Sequence, residues 1–203
     1  MKALYVTNRA AAGDARLEEV LASLAGAPSL SVQLREKDTP DREVLALARR
    51  CRERLGAGVP FYINRRFDLA IAAGADGVQL PADGLPLSRV RGATPRGFRI
   101  GVSTHSASEA AAAIAGGADL VLIGPIFDTP SKHAFGPPLS PAVLAELAPA
   151  ASHKSDVLAI GGIDEERLES LEPYRERIAG IAGIRLFQDA ADPRAVAQRI
   201  AQR

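Results

Sequence analysis

A single cysteine, with no Cys-x-x-Cys and no Cys/His cluster, leaves the chain without an internal disulfide or a structural-metal pattern. Cys51 lies inside the helical pattern DREVLALARRCRERLG, where a partly buried, inert thiol is expected rather than a nucleophile. An excess of charge is lacking too. The 25 Lys and Arg face 24 Asp and Glu, and a net charge of +1 gives no electrostatic reason for nucleic acid or an anionic membrane as partner. Any anion site must therefore be local. No apolar run approaches the roughly 20 residues of a membrane span, and MKALYVTN turns polar too early for a leader. A cytoplasmic protein is expected. No linker, low-complexity tract or charge block interrupts the 203 residues, so one domain over 1–203 is expected, with homo-oligomerisation left open.

What the chain does have is a repeated alternation. Its β-rich runs are ALYVT (3–7), LSVQLR (30–35), PFYIN (60–64), GVQL (77–80), FRIGVS (98–103), DLVLIG (119–124), DVLAIG (156–161) and GIAGIRLF (180–187). Most are near-continuous in Val, Ile and Leu, as when helices cover both faces of a parallel sheet. Helix starts are marked between them. Thr39-Pro40-Asp41, Ser140-Pro141 and Asp192-Pro193 offer a cap followed by proline. Ser106 with Glu109 fits a capping box, and Asp164 precedes EERLESL. This alternation fits a single (β/α)8 TIM barrel of α/β class. The competing open doubly wound sheet lacks its marker, since no strand leads into G-x-G-x-x-G.

In a barrel the ligand groups sit at the carboxyl ends of the strands, and these ends are polar here. Gln33 and Arg35 share one face of the second strand with Lys37 just above. A guanidinium beside an ammonium suits phosphate oxygens, although Glu36 and Asp38 offer a purely structural neutralisation. Asn64, Arg65 and Arg66 follow the third strand; one arginine is positioned to pair with Asp68, leaving the other for the mouth. Ser103, Thr104 and His105 end the fifth strand, as ligand donors or as loop and helix-cap groups. The loop GPIFDTPSKHAFGPP brings Thr129, Ser131, Lys132 and His133, a composition suited to a lid over an anion. Gly161-Gly162, after the seventh strand, lets backbone N–H groups approach a phosphate.

The ordered set VQLREKD, YINRRFDLAIAAGADGVQLP, IGVSTHSASEA, GADLVLIGPIFDTPSK, FGPPL and AIGGI resembles the thiamine phosphate synthase/TenI superfamily over about residues 3–187. In the synthase branch the resemblance implies a transferase that couples hydroxymethylpyrimidine diphosphate to hydroxyethylthiazole phosphate and releases diphosphate. Gln33, Arg35, Lys37 and Asn64 match positions around the pyrimidine diphosphate, and Ser103 matches a diphosphate contact. Thr129 and Lys132 match a T-x-T-K loop in which Ser131 replaces the second threonine, while Gly162 and Ile184 match the thiazole-phosphate end.

The departures fall at the family's Mg²⁺ site. Arg65 stands where the synthase pattern has its first aspartate, and Gly84 where it has the second, with Asp83 one residue early. Mg²⁺, the one cofactor the resemblance implies, thus has its usual ligands replaced. The first exchange alters local charge by two units, from −1 to +1. Arg185 replaces a serine near the eighth strand. The TenI-like alternative is a metal-free thiazole phosphate tautomerase. That branch places a histidine where this chain has Pro125, leaving His105 as the substitute acid–base. The third reading is a non-catalytic protein that binds thiazole phosphate or thiamine phosphate. The transferase reading is preferred because Arg35, Lys37, Thr129, Ser131 and Lys132 together exceed what a monophosphate requires. Arg35, Lys37, Lys132 and His105 are the expected catalytic groups.

Overall fold

The computed structural model describes residues 1–129 and 137–203, so Ser131, Lys132 and His133 lie outside the described residues. Eight parallel strands close into a barrel in chain order. They are β1 (Lys2–Val6), β2 (Leu30–Leu34), β3 (Phe61–Asn64), β4 (Gly77–Leu80), β5 (Arg99–Thr104), β6 (Leu120–Ile123), β7 (Asp156–Ile160) and β8 (Gly180–Gly183). The barrel shuts through β1 and β8, with Lys2 opposite Gly180 and Tyr5 opposite Gly183. This is the (β/α)8 architecture that the alternation implied.

The strands separate two cores. Outward residues such as Leu30, Val32 and Leu34 of β2 join the layer between barrel and helices. Inside, Leu4, Val6, Tyr62, Leu120, Leu122, Leu158 and Ala182 form a second cluster that fills the barrel. Near its floor Arg99 donates to the Tyr62 hydroxyl at 3.4 Å, and Lys2 meets Asp156 at 2.7 Å.

Helix α1 (Arg9–Ala12) and helix α2 (Asp14–Leu24) follow β1, and helix α3 (Asp41–Leu55) follows β2. The α3 sequence buries Val44, Leu47, Ala48, Cys51 and Leu55, one stripe of a 3.6-residue period, and stops at Gly56 with φ 69°. Helix α4 (Phe67–Ala72), helix α5 (Leu87–Ala93) and helix α6 (Ala107–Ala115) follow the next strands. After β6 and β7 the connections carry 3₁₀ turns instead, Pro141–Glu146, Ala150–Ser152 and Glu169–Tyr174, the last with Pro173 inside it. Helix α7 (Arg185–Gln188) and helix α8 (Pro193–Ala201) complete the chain. Among the described residues no helix is long and apolar enough to cross a membrane.

Two expectations need correction. The eighth run does not continue as a strand to 187. It ends at Gly183, and Leu186 and Phe187 are buried from the short helix α7. Thr39 does not cap α3. Pro40 occupies the cap position, and the Thr39 hydroxyl accepts from Arg9 Nη2 at 3.4 Å. The other caps form. Ser106 Oγ accepts from the Glu109 N–H at 3.1 Å, and Ser140 and Asp192 accept from Ala142 and Ala195 at 3.2 and 3.0 Å. The Asp164 carboxylate accepts from the Arg167 N–H, on a turn rather than an α-helix.

Candidate active site at the barrel mouth

The mouth has a polar half and an apolar half. From β2 to β5 the uppermost inward side chains are Gln33, Asn64, Gln79 and Ser103; from β6 round to β1 they are Leu122, Ile160, Ala182 and Val6. Hydrogen bonds join the polar set across neighbouring strands. Gln33 Nε2 donates to Asn64 Oδ1 at 3.2 Å, and Gln79 Nε2 donates to Ser103 Oγ at 3.1 Å. Gln33 is 2% exposed and Gln79 is 0% exposed, yet the Oε1 of each has no hydrogen-bond partner. A buried orphan acceptor costs roughly 1–3 kcal/mol, and two in one layer mark it as more than packing. Gln79 was not singled out from the sequence. The signal was there, a polar residue on the inward parity of an otherwise apolar GVQL strand.

Above this layer stands Arg35, half-buried, whose guanidinium makes no hydrogen bond or ion pair among the described residues. Burial pushes its pKa down, and the Glu36 charge only partly offsets this. Glu36 does not close on it as a salt bridge. Its carboxylate accepts from the Thr7 hydroxyl at 2.8 Å and from the Arg9 N–H at 3.3 Å. Thr7 Oγ1 in turn accepts from the Arg35 N–H at 3.0 Å, so the end of β1 fixes the backbone that carries the cation. Lys37 is exposed on the same rim.

The two arginines after β3 part company. Arg66 is tied to Asp68 and Asp41, and hydrogen bonding to Asp68 first and Asp41 second raises its pKa. Arg65 meets only Asp83, at 3.5 Å, with side chains 54% and 78% exposed. His105 is held at the β5 end, its Nδ1 2.6 Å from the Gly124 carbonyl and its N–H donating to Glu109. Thr104, buried, donates to the Leu122 carbonyl.

Thr129 is half-buried at the edge of the described part of the β6 loop. Gly161 and Gly162, with φ 103° and 65°, pass directly beneath that loop. A Cβ on Gly161 would stand 2.6 Å from Pro125 Cα, and one on Gly162 2.5 Å from the Asp128 carbonyl oxygen. The glycine pair is thus required by conformation and by contact, whatever else it binds. Ile184 is half-buried against the inner cluster, and Arg185 is exposed at the start of α7. The structure therefore joins Gln33 to Asn64 and Ser103 to Gln79, while the Arg35, Lys37 and Arg185 side chains stand without a described partner.

The described residues do not assemble an oxygen cage for Mg²⁺. Such a site takes oxygen ligands in near-octahedral order. Among the described residues no group of three or more His, Cys, Asp and Glu comes together. Asp83 is engaged by Arg65, and a Cβ on Gly84 would lie 2.9 Å from Pro81. A groove of about 530 Å³ lies between the β4–α5 connection and α6, lined by Pro81, Leu85, Val102, Ser103 and Ala112 among others.

Comparison with known proteins places this geometry in context. Residues 3–187 match the family described as thiamine monophosphate synthase. A thiamine-phosphate synthase of Methanoculleus marisnigri is 44% identical over 162 residues, 79% of this chain and 76% of the relative. One from a Roseiflexus species is 35% identical over 196 residues, 96% of this chain and 81% of the relative. The solved thiamine phosphate pyrophosphorylase of Pyrococcus furiosus superposes with a TM-score of 0.79 at 26% identity, covering 99% of this chain and 94% of that one. The match spans every strand but the last residues of the fold, and the chain belongs to the thiamine monophosphate synthase family.

Proposed function

We propose that the protein is a thiamine-phosphate synthase, joining hydroxymethylpyrimidine diphosphate to hydroxyethylthiazole phosphate. The observation that carries the reading is Arg35, a half-buried guanidinium left without a carboxylate because Thr7 and Arg9 engage Glu36. A desolvated cation with open donors is poised for an anionic ligand, and membership of the thiamine monophosphate synthase family supports a phosphorylated substrate as that anion.

The bond between the pyrimidine methylene carbon and the diphosphate oxygen breaks, and its electron pair leaves on diphosphate. The carbocation so formed is stabilised by the electron-rich pyrimidine. The thiazole nitrogen lone pair then forms the new C–N bond, giving thiamine phosphate and free diphosphate. No proton need move, so the protein's task is electrostatic and positional. Arg35, Lys37 and Lys132 stabilise the leaving diphosphate, with Ser103, Thr129 and Ser131 as hydroxyl donors. Gln33 and Asn64 hold the pyrimidine edge. The apolar half of the mouth supports the thiazole, its phosphate lying toward Gly161, Gly162, Ile184 and Arg185. His105, tied to the Gly124 carbonyl, positions the β5–β6 rim.

The test is to incubate purified protein with both substrates and follow thiamine phosphate by chromatography after oxidation to its fluorescent thiochrome derivative. Steady formation of product is expected. Its absence under every metal condition sinks the transferase and leaves the tautomerase or binding-protein readings.

A further inference from the structure

We infer that Arg65 is a built-in counter-charge for the diphosphate, so that this mouth binds its polyanion without a divalent metal. The inference rests on the proposed substrate class but concerns a residue that departs from the family pattern.

The backbone makes the first case. Arg65 has φ 65°, and among the described residues only Ser29 and Ser140 share positive φ outside glycine. The Arg66 N–H returns to the Asn64 carbonyl at 2.8 Å, closing a three-residue γ-turn centred on Arg65. Turns of this hand are rare and strained for a residue with a side chain. A long cationic side chain is a poor choice for that conformation unless the cation is used. The turn also breaks the strand alternation, which would have sent residue 65 outward from a β3 whose Asn64 faces in.

The charges make the second case. On the β2–β3 side of the mouth Arg35 and Lys37 have no described partner, and Arg65 has only the exposed Asp83 at 3.5 Å. Water screens that ion pair, and a diphosphate, with more charge and more oxygens, displaces it. Extension of the β2–β3 register, in which Leu34 faces Ile63, sets Arg35 beside Asn64, next in the chain to Arg65. The described carboxylates do not gather into a metal site. The ends of β2 and β3 thus bring three cations, and no described cluster of carboxylates, to neighbouring strands.

The test is calorimetric titration of the full-length protein with inorganic pyrophosphate in excess chelator. Wild type is expected to bind. Arg65→Gly, which suits the positive φ and so keeps the fold, is expected to bind about tenfold more weakly or worse, one charge-assisted contact being lost. Arg66→Ala, which leaves the γ-turn backbone intact, should bind as wild type. Wild-type binding that appears only on adding Mg²⁺, or an Arg65→Gly affinity equal to wild type, overturns the inference. The two proposals fail separately. Chelator-resistant, Arg65-dependent binding without thiamine phosphate formation removes the synthase reading alone. Synthesis that occurs only with Mg²⁺ removes the Arg65 role alone.

Discussion

Gly101 lies under the polar layer of the mouth, and replacing it with alanine tests how that layer is held. Its added Cβ would fall 1.9 Å from Gln79 Oε1 and 2.8 Å from Gln79 Cδ, inside the 3.0 Å that real Cβ contacts respect. Gln79 is 0% exposed, so the clash falls on a buried amide. It must rotate, surrendering its 3.1 Å bond to Ser103. Overpacking costs about 1–3 kcal/mol and the lost hydrogen bond about 1 kcal/mol. Gly101→Ala should therefore lose roughly 2–4 kcal/mol by urea denaturation, or roughly 5–15 °C in Tm for a chain of this size. Gln79→Ala alone removes an amide that already carries one orphan acceptor, so its cost should be smaller. In the double variant the alanine methyl at 101 enters space the glutamine vacated, and part of the loss returns. The cycle should give a coupling of about 1–3 kcal/mol. Additivity within about 0.5 kcal/mol would refute the claim that the two residues share one space.

Arg35→Met should move stability and binding in opposite directions. Removing a half-buried, unpartnered cation leaves Tm unchanged or raised in scanning calorimetry, while pyrophosphate affinity drops about tenfold or more. A lower Tm with affinity intact would show Arg35 to be structural. Cys51 is buried and its thiol is pushed from 9.0 up to about 12. Native protein at pH 8 should thus resist a disulfide reagent that labels it in urea. Because the folded pKa is the higher, this thiol contributes stability that is complete below about 9 and is lost as pH climbs toward 12, at up to about 1.4 kcal/mol per pH unit. Fast native labelling would contradict the buried placement.

The barrel was legible because most of its strands are buried on both faces and so read as continuous Val, Ile and Leu. The same property hid the end of β8, since a short apolar run does not distinguish a strand from a buried helical turn. Leu186 and Phe187 are as buried on α7 as a strand would have made them. Ser106, Ser140 and Asp192 were readable as caps because a cap acts on residues two or three positions away. Thr39 was not, because its partner Arg9 comes from another connection. The site divides in the same way. Alternation along one strand put Gln33 and Arg35 together, and a spacing of two put Arg66 on Asp68. That Glu36 would serve Thr7 and Arg9 instead of Arg35 depended on β1 lying beside β2. The Arg65–Asp83 pair likewise needed a turn whose hand no local propensity for arginine foretells.

The closing strand carries a consequence for how the protein is made. β8 is only Gly180–Gly183, yet it binds β7 along one side and β1 along the other. During synthesis the first strand must wait until Gly180–Gly183 is made before it meets its second neighbour, and parallel pairing over such a separation is slow. A nascent or truncated chain that stops short of Gly180 has two adhesive borders where the finished barrel has none. Four residues, two of them glycine, therefore decide when the borders of β1 and β7 are covered.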